Sequence, residues 1–146
     1  MNDHTPTSRK ASLWAVASLG LIWNLFGLFR FFTTEFANKA QHMAAGMTPE
    51  QAAMYVQQPI WMKLAFAIGV FGGAIGCALL LIRRRQAVPV FWASLVGYLV
   101  LYIGDIALGI FAAFGAPQIT VLTLVLVIAA ALLWYARRLA KQGTLA

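Results

Sequence analysis

Four long apolar runs, each bounded by basic or turn-forming residues, constrain this chain more than any other feature. The first is Leu13–Phe32, preceded by Arg9 and Lys10. As a helix rising 1.5 Å per residue it spans about 30 Å, the thickness of a bilayer's hydrocarbon core. The second is Ile60–Ile82, ended by Arg83, Arg84 and Arg85. Pro89 opens the third, Val90–Phe114, since proline fits the first turn of a helix. Gly115, Ala116, Pro117 and Gln118 then predict a tight turn. The fourth run, Ile119–Ala136, stops at Arg137, Arg138 and Lys141. Composition agrees: 62% of the 146 residues are hydrophobic and 10% charged, against about a quarter charged in soluble domains. The expected fold is all-α, one integral membrane domain built as a four-transmembrane-helix bundle. A cleavable signal peptide carries a shorter apolar region of about 7–15 residues. The first run is longer and continues into Thr33, Thr34 and Glu35, so it reads as a retained helix.

Charge placement sets the expected orientation. With the N-terminus inside, the cytoplasmic segments hold Arg9, Lys10, Arg83, Arg84, Arg85, Arg137, Arg138 and Lys141. Outside, only Lys39 stands clear of the membrane, while Arg30 and Lys63 lie near the outer boundary. This bias follows the positive-inside rule and predicts a multi-pass protein of a bacterial inner membrane with both termini cytoplasmic. The net charge of +7 then serves orientation and anionic lipid headgroups, and no nucleic-acid partner is expected.

The outer loop, residues 33–59, is the one sizeable segment outside the spans. Glu35–Ala45 is rich in helix formers, which predicts that the first helix extends outward until Gly46 stops it. Thr48-Pro49-Glu50-Gln51 has an N-cap threonine, a first-turn proline and glutamine at the capping-box position. A short amphipathic helix should follow, with Met54, Tyr55 and Val56 free to pack, and end before Pro59.

Between helices in lipid, close approach of small residues replaces hydrophobic drive. Ala65, Gly69, Gly73 and Cys77 recur every four residues on the second helix, beside Gly72 and Gly76. This stripe is expected to pack another helix of the bundle, or a second copy in a homodimer. Ala17, Gly20, Asn24 and Gly27 share a face of the first helix, and the fourth is apolar all round, as a lipid-facing scaffold would be.

Polar groups at membrane depth are costly and mark candidate function. Asp105 and Asn24 each lie about 10 Å inside the outer end of their runs. Arg30 and Lys63 sit nearer that end, and Tyr98, Tyr102 and Asp105 follow at helical spacing. These six residues are the candidate lining of a small polar cavity open to the outer side. The alternative is a structural clamp, with Asp105 paired to Lys63 or Arg30 and Asn24 bonded across helices.

Other chemistries lack their residues. The single cysteine, Cys77, allows neither an intramolecular disulfide nor a thiol-redox pair and reads as packing. His4 and His42 fall in the tail and the loop, so no haem pair forms, and no zinc spacing, phosphate loop or nucleophile elbow occurs. Four acidic residues argue against paired-carboxylate hydrolysis. Neither an enzyme nor a cofactor or metal is expected. Four-helix multidrug exporters place a glutamate in the first helix, and Leu13–Phe32 holds none.

Trp23-Asn24 with Gly27, Thr48-Pro49-Glu50-Gln51 and Pro59-Ile60-Trp61 are followed by Gly69, Gly72, Gly73 and Gly76. Arg83-Arg84-Arg85 and Ala87-Val88-Pro89-Val90-Phe91 with Ser94 and Leu95 come next. This combination resembles a largely uncharacterised family of small four-helix proteobacterial inner-membrane proteins, some of them labelled sugar transporters. The resemblance spans Leu19 to Leu95. It implies a membrane bundle and a sugar-like solute, and it brings no functional residues with it. Two functions are therefore expected from different classes. One is a small-solute transporter or permease subunit, acting as a homodimer. The other is a non-transporting accessory subunit that binds a larger membrane complex through the Gly69/Gly73 stripe or the outer loop.

Overall fold

The computed structural model describes residues 6–146, with side-chain surroundings from Ala11 onward. His4 and the side chains of Arg9 and Lys10 lie outside the described residues. Seven helices follow one another: α1 (Pro6–Glu35), α2 (Lys39–Ala44), α3 (Pro49–Val56), α4 (Ile60–Leu81), α5 (Ala87–Ala107), α6 (Ile110–Phe114) and α7 (Ala116–Lys141). No strand occurs among the described residues. The four helices α1, α4, α5 and α7 are long and apolar enough to cross a membrane. Their outer faces carry large apolar side chains in the open, among them Leu19 at 68% exposure, Ile22 at 64% and Ile103 at 64%. Water would not tolerate so continuous an apolar surface on a monomer, whereas lipid is its natural solvent.

Three local expectations are corrected. The first helix does not run on to Gly46: α1 ends at Glu35, and Asn38 starts α2 through a reciprocal capping box with Gln41. A side chain that bonds the backbone at an N-cap competes with helix continuation, which explains the break. The third run is not one helix to Phe114. It stops at Ala107, and Gly109, with φ 72°, turns the chain into α6. Residues 115–118 are not a tight turn, because α7 begins at Ala116 and absorbs Pro117 in its first turn.

Glycines set how closely the spanning helices approach. A Cβ on Gly69 would meet the Tyr98 ring at 2.6 Å, on Gly72 Ser94 at 3.0 Å, and on Gly76 the Phe91 ring at 2.6 Å. These three glycines receive α5, and Gly73, one step round the helix, receives Asn24 of α1. The stripe on α4 is thus filled on both sides from within the chain. Ser94 donates its hydroxyl to the Gly69 carbonyl at 2.6 Å inside this contact. Ser94→Ala is expected to cost about 1 kcal/mol, read as an earlier unfolding midpoint in a sodium dodecyl sulfate titration. An unchanged midpoint would remove the bond from the account.

Helix α7 is apolar all round, as expected, but does not face lipid on every side. Leu122, Ala129, Leu132, Leu133, Ala136 and Leu139 form a buried stripe, while Val121, Leu124, Val127 and Trp134 face out. At the end of the bundle that carries Arg83–Arg85 and Arg137–Arg138, Leu132, Leu133 and Ala136 pack with Leu13 and Ala17 of α1. That end is closed further by backbone bonds of 2.8 Å from Arg85 N–H to the Ala146 carbonyl and from Ala146 N–H to the Arg83 carbonyl. The opposite end is capped by α2 and α3. Thr48 and Gln51 form the expected capping box, and the Gln51 side-chain amide also donates to the Ala113 carbonyl at 3.1 Å, tying α3 to α6.

Candidate functional site

At the capped end, a cavity of about 170 Å³ lies among α1, α4, α5 and α7. Its apolar walls come from Val70 of α4, Leu101 of α5, and Leu122 and Val125 of α7. Phe26 and Val121, both more than half exposed, flank it where α1 faces α7. The two helices meet at the basic end and leave space between them here. The floor is Tyr98, whose ring lies over Gly69 and is 4% exposed. Tyr55 and Gln58, from α3 and the segment after it, reach the cavity from the cap.

Of the six residues expected to line a site, Arg30, Tyr98 and Asp105 do so. Asp105 is 2% exposed, and Gln118 donates to its Oδ2 at 3.4 Å, a long and weak bond. Neither Arg30 nor Lys63 hydrogen-bonds to it among the described residues. Arg30 is exposed and Lys63 is half-buried outside the lining, within electrostatic reach of Glu35. Asn24 lies deeper, buried against Gly73. Its side-chain amide donates to the Gly20 carbonyl at 2.8 Å and contacts Cys77 Sγ at 3.8 Å, which makes it a packing group beside a void of about 10 Å³. Tyr102 turns away to share a 3.2 Å hydrogen bond with Thr123 and to pack edge-on against Phe111.

Helical rotation explains the split. At about 100° per residue, Tyr98 and Asp105 differ by about 20° around α5, whereas Tyr102 stands about 60° from Asp105. Likewise Arg30 is about a third of a turn from Asn24 around α1.

Glu35, Gln118 and Tyr55 line the cavity although they were not among the expected residues. Glu35, the last residue of α1, lines the cavity and keeps its Oε2 buried with no hydrogen-bond partner among the described residues. The first helix therefore does contain a glutamate, at its very end. Gln118 enters because α7 starts early enough to aim its first turn inward. Tyr55 is fixed by its ring contacts with His42 at 5.2 Å and Phe114 at 5.3 Å. Burial pushes the Tyr55 phenol up to about 12, and the carboxylates of Asp105 and Glu35 push the same way against Arg30 and a hydrogen bond with Gln118. At neutral pH it remains a hydroxyl donor facing two carboxylates.

No family model, curated protein or solved structure matches this chain. No group of three or more His, Cys, Asp or Glu able to hold a metal ion occurs among the described residues. The arrangement offers two carboxylates, two phenols, two carboxamides and aromatic walls, in a space sized for a small organic molecule.

Proposed function

We propose that this chain is a small-solute transporter or permease subunit of a bacterial inner membrane, and not an enzyme. One observation carries this: a cavity of about 170 Å³ joins Arg30, Tyr98 and Asp105 at the end of the bundle remote from the arginine clusters. By the positive-inside rule the arginine end faces the cytoplasm, so the cavity faces outward with both termini inside. A buried carboxylate at such depth is retained at a cost, which supports a working role for Asp105. Four helices enclose little volume, so passage across the whole membrane is assigned to a homodimer embedded in lipid. The accessory-subunit reading has less support, because Gly69, Gly72, Gly73 and Gly76 already hold Tyr98, Ser94, Asn24 and Phe91 of the same chain. The likeness to small proteobacterial inner-membrane proteins, some labelled sugar transporters, supports the same reading.

Uptake into proteoliposomes tests it, with a panel of labelled small solutes covering neutral sugars, amines and carboxylates. Wild type should carry at least one of them faster than protein-free vesicles. Asp105→Asn, folded by SDS titration, should bring that rate down to the protein-free level. Equal rates with and without protein for the whole panel would refute the transport reading.

A further inference from the structure

We propose that the cavity takes a small organic monocation, an alkylammonium of choline's size, rather than a neutral sugar. This deepens the transport reading and rests on it. Charge is the first argument. Glu35 and Asp105 face the interior, whereas Arg30, the one lining cation among the described residues, is exposed at the rim, where solvent and headgroups screen it. A carboxylate held in a low-dielectric site calls for a counter-charge or strong donors. Asp105 has the 3.4 Å bond from Gln118, and Glu35 Oε2 has no donor among the described residues. Lys63 acts on Glu35 from outside the lining without a hydrogen bond to Oε2. A bound cation between the two carboxylates meets both needs.

The walls are the second argument. Trp23, Phe26, Tyr55, Phe66 and Tyr98 all line the space. Aromatic faces attract cations, and aromatic cages with a carboxylate are how proteins recognise quaternary ammonium groups. A bare divalent ion is a poor fit, since calcium takes six to eight oxygens and magnesium demands octahedral geometry. The two carboxylates bring at most four oxygens, and no group of three or more His, Cys, Asp or Glu able to hold a metal ion stands among the described residues.

Size is the third. A cavity of about 150 Å³ accommodates a molecule like benzene. The 170 Å³ here suits tetramethylammonium or choline, while a hexose has about twice as many heavy atoms as benzene.

Isothermal titration of the full-length protein in lipid nanodiscs separates the possibilities. The probes are tetramethylammonium, choline, and 3,3-dimethylbutan-1-ol, the neutral isostere of choline. The cations should bind saturably, with the isostere at least about tenfold weaker. Glu35→Gln and Asp105→Asn should each weaken choline by about tenfold or more, while leaving binding of the isostere unchanged. Because the wild-type comparison needs no variant, a folding defect does not blunt the test. An isostere that binds as tightly as choline overturns the cation assignment and leaves the cavity a solute site. So does uptake of a neutral sugar from the panel with no binding of either cation. Failure of all three probes together with the entire uptake panel overturns both readings.

Discussion

Gly97→Ala should unfold this bundle more readily than wild type, by about 1–2 kcal/mol net, although alanine is the better helix former. Intrinsic propensity favours alanine over glycine by about 1 kcal/mol in a helix interior. Against that, a Cβ at position 97 would come within 2.8 Å of the Ala65 carbonyl oxygen and 3.0 Å of the Gly69 nitrogen. Both obstacles are backbone atoms of α4, so no side-chain rotation relieves them, and α5 has to move off α4. Overpacking costs about 1–3 kcal/mol, and an unyielding backbone obstacle at 2.8 Å puts this case in the upper part of that range, above the propensity gain. Gly97→Leu should leave no folded fraction. The SDS midpoint measures the effect, and a midpoint at or above wild type would show that α4 and α5 approach less closely than described. The same displacement reaches the cavity, because Tyr98, Leu101 and Asp105 follow Gly97 on α5. A folded remnant of Gly97→Ala should therefore also bind solute less well. Gly73 offers the contrast: its obstacle is the Asn24 side chain, so Gly73→Ala is open to rescue by Asn24→Ala.

The four spanning helices were legible because lipid demands length and apolarity, and those are properties of sequence alone. The glycine spacing on α4 was equally plain, and so was the Thr48 capping box. What escaped was local termination. In a run such as Ile103–Phe114 every residue near Leu108 is compatible with helix in lipid, and the one mark of the break is Gly109, a residue common inside membrane helices. Asn38 carried a real signal, the side-chain competitor that ends one helix and begins another, but the helix formers on either side outweighed it. Two boundaries displace a cavity residue each: ending the first span at Phe32 puts Glu35 in the outer loop, and a turn over residues 115–118 takes Gln118 off α7. Tyr102 failed for a different reason. Spacings of three and four residues define a broad stripe on a helix, and a cavity of this size touches only part of that stripe.

The cavity also permits a test in which stability and binding move in opposite directions. Val125 of α7 borders both the 170 Å³ space and the small void beside Asn24. In Val125→Phe the added ring has unfilled volume to enter, so the usual penalty for enlarging a packed residue does not apply. New van der Waals contacts should instead leave stability unchanged or raise it by about 1 kcal/mol, as cavity-filling substitutions do. The ring occupies the space a ligand needs, so choline, or whichever solute the uptake panel identifies, should bind at least about a hundredfold more weakly. A late SDS midpoint with binding lost places the ligand in this cavity on shape alone, without touching a charge. Wild-type affinity in a well-folded Val125→Phe protein would move the site elsewhere. The pairing with Asp105→Asn is then informative. Loss in both variants means that the cavity recognises charge and shape together, whereas loss in Val125→Phe alone means that the carboxylate is structural and the pocket selects by fit.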